Sequence, residues 1–356
     1  MKFNIFVINP GSTSTRMALY EDENEIFLEN IFHQSSEIAG YSRIIDQREF
    51  RKDLILNFLV NKEIELSTLH AVVGRGGLLK PIPGGTYKVN KKMLQDLETG
   101  IQGEHASNLG GILAYEIASV AGIHAFIVDP VVVDEFDDVA RITGIPEIKR
   151  RSIFHALNHK SCARLAARKL GKSYDESNFI VAHLGGGISI SAFKKGRAID
   201  VNNALNGEGP IAPERAGTLP AWDLVELTLS GKYNKNELKK IITGRGGMVA
   251  LLGTNDMKAV LERIKEGDKR AKLVFEAMAY KIAKEIGACA AVLAGNVDAI
   301  VLTGGLAYCN KFIVQIKRYI SFIAEIFVLP GGDEMKALAL GALRVLKGEE
   351  QLKEYV

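Results

Sequence analysis

Two short stretches of this chain combine residue types suited to holding phosphate. Gly11-Ser12-Thr13-Ser14-Thr15 follows the apolar run Phe3–Ile8, and Gly185-Gly186-Gly187 follows Phe179–Leu184. In each, a buried strand reaches a small, N–H-rich tip and continues into an alternating strand, Met17–Leu19 in the first and Ile188–Phe193 in the second. Closely spaced backbone N–H groups and hydroxyls concentrate positive dipole ends at one point, which suits a phosphate cradle. An ordinary surface turn has a similar composition. The repetition favours the cradle. Asn9 and His183 hold the same place before the two tips, and the match reads as an internal duplication: two similar domains whose tips would hold opposite ends of a triphosphate across a cleft.

Other side chains suit the same chemistry. Arg75 lies between Gly74 and Gly76 at a strand end, and Arg215 lies in Pro213-Glu214-Arg215-Ala216-Gly217. A lone arginine is most simply a solvated cation, but bare backbone on both sides of Arg75 would let a substrate come close, and a planar guanidinium grips carboxylate or phosphate with two bonds. Asp129 ends a strand before Pro130, a common place for a capping or turn carboxylate. His155 and His159 are four apart on an expected helix, but the glutamate of a His-Glu-x-x-His zinc motif is missing and no further ligand is near.

The elements that must position these groups alternate between strand and helix, which argues for α/β layers, with hairpins making the sheets mixed. Helices are expected over 46–60, 106–121, from about 152 to 170, over 257–264 and 271–294, and from 311 and 334. At 356 residues the chain is long enough for two cores, with a soft boundary near residue 150. The net charge of +3 is too small to argue for nucleic acid or a membrane surface. Cys162, Cys289 and Cys309 lack metal-ligand spacing and fit a reducing compartment. The chain enters a strand at once, without a signal-peptide pattern, and no apolar run has the length of a membrane span, so a cytoplasmic protein is expected.

With these residues placed, the sequence resembles the acetate/butyrate kinase family of the actin–hexokinase–heat-shock ATPase superfamily. The landmarks INPGSTSTR, GRGGLL, EHASNLGG, VDPVVVDEF, RRSIFHALNH, HLGGGISI, PERAGT, LTGGLA and PGGDEMKALALGA stand in the family's order along nearly the whole chain. The resemblance implies two duplicated actin-like (ribonuclease H-like) domains, each a five-stranded mixed sheet flanked by helices, with nucleotide in the cleft between them. Their expected extents are 1–150 and 151–334, with a C-terminal helix at about 335–356 packing back on the first.

The implied reaction is phosphorylation of a short-chain carboxylate by ATP, butyrate by preference, to give the acyl phosphate and ADP. Isobutyrate, propionate or acetate is the alternative acid, and an actin-like ATPase the alternative class. The carboxylate is ionised at neutral pH and needs no general base, so alignment and charge neutralisation carry the rate. The resemblance places Arg75 and Arg215 beside the carboxylate and transferring phosphoryl, and has His155 donate to that phosphoryl. Phe154 would line the acyl pocket, with His105 as a further active-site histidine. Asp129 and Glu334 would be the carboxylates directed at Mg2+, assisted by Asn9, with Asp333 the rival of Glu334. Asn9, Ser12, Ser14 and Arg16 would face the γ-phosphate, His183, Gly185, Gly186 and Gly187 the β-phosphate, and Gly304 and Gly305 the adenosine. The expected assembly is a homodimer or higher homo-oligomer.

Overall fold

A computed structural model describes residues 2–356. The chain forms two compact units: one runs to Val133 and takes up Asp333–Val356, and the other is Asp134–Gly332. The division falls at Val133 rather than near residue 150 because the intervening segment is tied to the second unit. Asp137 N donates to Ile199 O at 3.1 Å, Lys160 Nζ to Glu135 at 2.9 Å and Arg150 to Asp200 at 2.8 Å.

In the first unit, β1 (Asn4–Pro10) and β2 (Ser14–Glu21) form the hairpin expected around Gly11. The chain then turns at Asp22, whose φ is 54°, and returns as β3 (Asn24–Phe32). That strand was not expected; it is an edge strand whose apolar Ile26, Leu28 and Phe32 are exposed among acidic residues. β4 (Ala71–Arg75) pairs parallel with β1, and β5 (Thr86–Lys88) pairs antiparallel with β6 (His124–Val128). The second unit contains β7 (Asn178–Leu184), β8 (Ile188–Lys194), β9 (Arg197–Val201), β10 (Ala299–Gly304) and β11 (Glu325–Pro330). Finally β12 (Lys353–Glu354) joins the first unit beside β5.

Among the described residues the second sheet has five strands in the order β11-β10-β7-β8-β9, and the first has the matching run β6-β4-β1-β2-β3 extended by β5 and β12 to seven. In both, a hairpin and its third strand lie on one side of the first strand and parallel neighbours on the other. This is the duplication seen in the two tips. The first sheet is wider than the five strands expected because the loop after Pro83 and the C-terminal segment add an edge to it.

Each unit has its own apolar core. Phe6, Ile8, Val72 and Ile127 meet helices Arg48–Asn61 and Asn108–Ala121 in the first. Ile180, Ala182, Ile190 and Leu302 meet helix Lys269–Val292 in the second. The opposite faces are covered by helix Glu334–Leu346 and helix Ala156–Leu170 respectively. Helix Ala156–Leu170 starts later than the expected position near Ser152, leaving His155 as the residue before its first turn. Three further helices of nine residues each, Lys91–Thr99, Ala221–Leu229 and Lys235–Thr243, were not expected; the last two bury only Leu238 between them.

The glycines around Arg75 serve packing rather than substrate approach. A Cβ at Gly74 would overlap the carbonyl of Gly110, one at Gly76 would lie 2.6 Å from Pro130 Cβ, and one at Gly77 would lie 2.6 Å from Asn108. Strand β4 and helix Asn108–Ala121 therefore touch backbone to backbone. Substituting Gly74→Ala is expected to destabilise the protein by about 3 kcal/mol or more, whereas Gly40→Ala, with open space around it, should change stability by less than about 1 kcal/mol. Denaturant unfolding of both variants measures the contrast, and equal values would show that the close approach costs nothing to relieve.

Candidate active site

Strand alternation sets the first cluster. Val7 and Asn9 on β1, and Val73 and Arg75 on β4, point to the face covered by helix Glu334–Leu346. At that helix's start Glu334 Oε2 accepts from Asn9 Nδ2 at 2.9 Å and forms an ion pair with Arg75 Nη1. Asp333, its rival in the sequence, instead caps the helix by accepting from Lys336 N at 2.9 Å. The structure thus joins Asn9, Arg75 and Glu334.

Arg16 pairs with Asn9 across the hairpin and is exposed, as is Ser12; Ser14 is half-buried. Asp129 is buried and held at φ 40°, a left-handed conformation that costs an aspartate of order 1 kcal/mol. It exchanges bonds with Gly85: Gly85 N donates to Asp129 Oδ1 at 2.6 Å and Asp129 N to Gly85 O at 3.1 Å. His105 Nδ1 accepts from Ser107 N at 3.2 Å, so its neutral ring carries the proton on Nε2. Packing around the ring, and then the charge of Arg75, hold the His105 pKa below its ordinary value.

In the second unit the same alternation turns His183 of β7 and Ser189 and Ser191 of β8 toward helix Ala156–Leu170. His155 and His183 stack, with ring centroids 3.9 Å apart and planes inclined by 13°. His155 Nδ1 bonds Ser189 Oγ at 2.8 Å, and His183 Nδ1 bonds Asn158 Oδ1 at 2.7 Å. Beneath them lies His159, fully buried, with Nδ1 on Ser191 Oγ at 2.7 Å and Nε2 on Ser189 Oγ at 2.8 Å. Both of its nitrogens are engaged within the fold, and its burial, with the nearby His183, pushes its pKa well down. Phe154, also buried, meets the His159 ring edge-on at 5.1 Å.

The second tip is shaped by the loop that carries Arg215. A Cβ at Gly187 would overlap the Arg215 guanidinium, and one at Gly186 would lie 3.2 Å from a Glu214 carboxylate oxygen. Glu214 N donates to Gly186 O at 3.1 Å, fastening loop to tip. These two glycines therefore make room for Glu214 and Arg215, while a Cβ at Gly185 would meet His183 Nε2 at 3.0 Å. Arg215 Nη1 donates to Ala204 O, whereas its buried Nε has no partner. Burial lowers the Arg215 pKa, opposed by Glu214. Gly304, at φ 86°, packs on the Leu184 backbone and exchanges bonds with Gly331, so it closes the end of a strand; Gly305 has open space beside it.

Three groups here were not singled out for the site by their sequence. Glu214 gave no signal apart from its neighbour Arg215. His159 was weighed only as half of a zinc pair. Arg51 did leave a signal: it shares the helical spacing of buried Ile55 and Leu59, a cation in an apolar stripe, and it reaches the first tip.

Comparison with solved structures gives the class. The chain superposes on Porphyromonas gingivalis acetate kinase with a TM-score of 0.79 at 20% identity, covering 97% of this chain and 100% of that one. It also superposes on a Francisella tularensis propionate kinase with a TM-score of 0.76 at 19% identity, covering 95% and 98%. At these identities the likeness shows the fold: the duplicated actin-like architecture of carboxylate kinases. In sequence, the Acetokinase family description matches residues 145–320, and butyrate kinase 2 of Clostridium acetobutylicum is 56% identical over 356 residues, all of both chains. The chain belongs to the acetokinase family and is a phosphotransferase with a carboxyl group as acceptor.

The buried His159 makes stability depend on pH. Unfolded, the ring takes a proton near its ordinary value of 6.5; folded, it stays neutral well below that. The unfolded state thus binds more protons as the pH falls below about 6.5, and stability declines there by up to about 1.4 kcal/mol per pH unit for this group. Chemical denaturation between neutral pH and pH 5 should show a shallower decline in His159→Gln than in the parent. Parallel curves would assign the proton uptake to other groups.

Proposed function

We propose that the chain converts butyrate and ATP to butyryl phosphate and ADP by direct, reversible in-line transfer. Full-length identity to a butyrate kinase supports the acid chosen. The observation that carries the site reading is the buried, unpartnered Nε of Arg215, a guanidinium donor with an open valence beside a glycine tip. An unmet buried donor costs about 1–3 kcal/mol, and an anionic substrate oxygen meets it.

In this reading Arg75 orients the carboxylate, and Arg215 neutralises charge on the transferring phosphoryl. His155 donates to that group, its Nδ1 being fixed by Ser189 so that Nε2 is turned to substrate. His183 serves the β-phosphate with Gly185, Gly186 and Gly187, while Asn9, Ser12, Ser14 and Arg16 serve the γ-phosphate. Gly304 and Gly305 lie on the adenosine side, with Gly305 the open surface. Phe154 and His105 border the acyl group, and Asp129 supports the phosphoryl end.

The oxygen donors of the first cluster fit Mg2+, since Asn9 uses its Nδ2 on Glu334 and keeps Oδ1 free, and this ion needs only one or two protein carboxylates. Glu334, Asn9 and Asp129 would hold it, and Mg2+ supplies charge neutralisation on the polyphosphate. A cytoplasmic homodimer is the proposed state; Trp222, Val225 and Leu229 on helix Ala221–Leu229 are exposed apolar side chains that a second subunit would cover.

With MgATP and butyrate, the purified protein should form an acyl phosphate trapped by hydroxylamine, and kcat/KM should be highest for butyrate among acetate, propionate, butyrate and valerate. No trapped product, or a maximum at acetate, overturns the assignment. Arg75→Ala and Arg215→Ala should each lower kcat by about 100-fold or more while changing KM for ATP little, as expected for groups that act on the developing charge.

A further inference from the structure

Arg51 is the feature of the first unit that the reaction as described leaves unused. It lies on helix Arg48–Asn61 and is completely buried. Its guanidinium is spread across the underside of the first hairpin tip. Nη1 donates to Ser14 O at 2.9 Å and Thr15 Oγ1 at 3.0 Å, and Nη2 to Gly11 O at 2.9 Å and Ser12 O at 3.4 Å. Gln47 Oε1 accepts from Nε at 3.0 Å and from Nη2 at 2.8 Å. Thr13 O, the remaining carbonyl of the tip, accepts from His33 N at 2.9 Å, and Thr15 Oγ1 is also bonded to His33 Nε2 at 2.9 Å.

Two consequences follow from this arrangement. First, the carbonyls of Gly11, Ser12, Thr13 and Ser14 are all drawn inward, so their negative ends face the protein. The N–H groups of Ser12 and Thr13 have no acceptor among the described residues and are left to the outside. Second, every acceptor around Arg51 is neutral. No carboxylate pairs with it among the described residues, and desolvation alone pushes its pKa down, to about 10, so it stays charged at neutral pH. Burying an uncompensated cation is costly. Here the charge lies directly under a loop whose outer side presents donors, where an anion would compensate it.

We infer that Arg51 is a positioning residue for phosphoryl transfer: it shapes the first tip by gripping its carbonyls and supplies unpaired positive charge beneath the phosphate held there. This rests on the proposal that the Ser12–Ser14 tip serves the γ-phosphate. The role is electrostatic as well as architectural, and the two parts separate at Gln47.

Gln47→Glu keeps the acceptor geometry on the guanidinium and places a carboxylate against it, cancelling its charge without removing a bond. A purely structural Arg51 predicts equal or higher stability and unchanged kinetics in this variant. The inference predicts an unfolding midpoint equal to or above that of the parent, with kcat/KM for MgATP lowered about tenfold or more, as for loss of a charge-assisted bond, and KM for butyrate unchanged. Arg51→Lys, which keeps charge but loses the fork, should retain more of kcat/KM for MgATP than Arg51→Gln. Ser12→Ala and Ser14→Ala test the underlying reading: normal kinetics in both would remove the phosphate from this tip. If those two are impaired while Gln47→Glu is folded and fully active, the tip reading stands and the inference about Arg51 fails. Should Arg51→Gln not fold, Gln47→Glu alone decides.

Discussion

A β-strand shows one face only every second side chain, and that restriction decides which residues of this chain can meet. In the first unit it turns Asn9 and Arg75 to the face covered by helix Glu334–Leu346, so that one carboxylate reaches both. In the second it turns His183, Ser189, Ser191 and Thr303 to the face covered by helix Ala156–Leu170. Both sheets are packed on both sides, and their central strands are apolar in either direction. Polar side chains are accommodated chiefly where the strands run out, so the chemistry collects at the strand ends. Shifting the register of either hairpin by one residue would send the same groups to the opposite face.

The two units meet this restriction with different chemistry. The first tip is hydroxyl-rich and is held from below by a buried guanidinium; the second is all glycine and is filled from the side by Glu214 and Arg215. A duplicated backbone therefore carries two unlike tips. The histidine stack belongs to the second, and the Glu334 carboxylate that meets Asn9 and Arg75 to the first. Each unit also contains a buried or half-buried arginine that no carboxylate among the described residues neutralises by an ion pair, Arg51 in one and Arg215 in the other. A fold that keeps such cations poorly solvated is suited to ligands that bring negative charge.

Much of this was legible from residue order. The hairpin around Gly11, its echo around Gly185 and the long helices followed from apolar periodicity, because those elements bury a continuous face. What was missed was short or lightly buried: the edge strand β3, the helices Ala221–Leu229 and Lys235–Thr243, which bury only Leu238 between them, and helix Lys91–Thr99, whose buried Met93 and Leu97 span little more than one turn. The glycines were the more instructive error. A glycine shows that something needs the space of a side chain, but not what. At Gly74 and Gly76 the occupant is the protein's own helix and Pro130, and at Gly187 it is Arg215. Residue order likewise left Asp333 and Glu334 as rivals, since one caps the helix and the other reaches outward only once the helix is placed. Arg51 escaped notice because a charge within an apolar stripe is outvoted by its neighbours in any average.

The first unit is assembled from two distant parts of the chain. Asp333–Val356 returns to it after the whole of Asp134–Gly332, with Tyr355 buried against Asp96 and Thr86 bonded to Gly341. Synthesis proceeds from the N-terminus, so Asp134–Gly332 can complete its own core while its companion still lacks a covering helix. Glu334 is translated 259 residues after Arg75, the cation it pairs with. A growing chain on the ribosome therefore cannot assemble the first cluster until the start of helix Glu334–Leu346 has been made and can fold back onto β1 and β4.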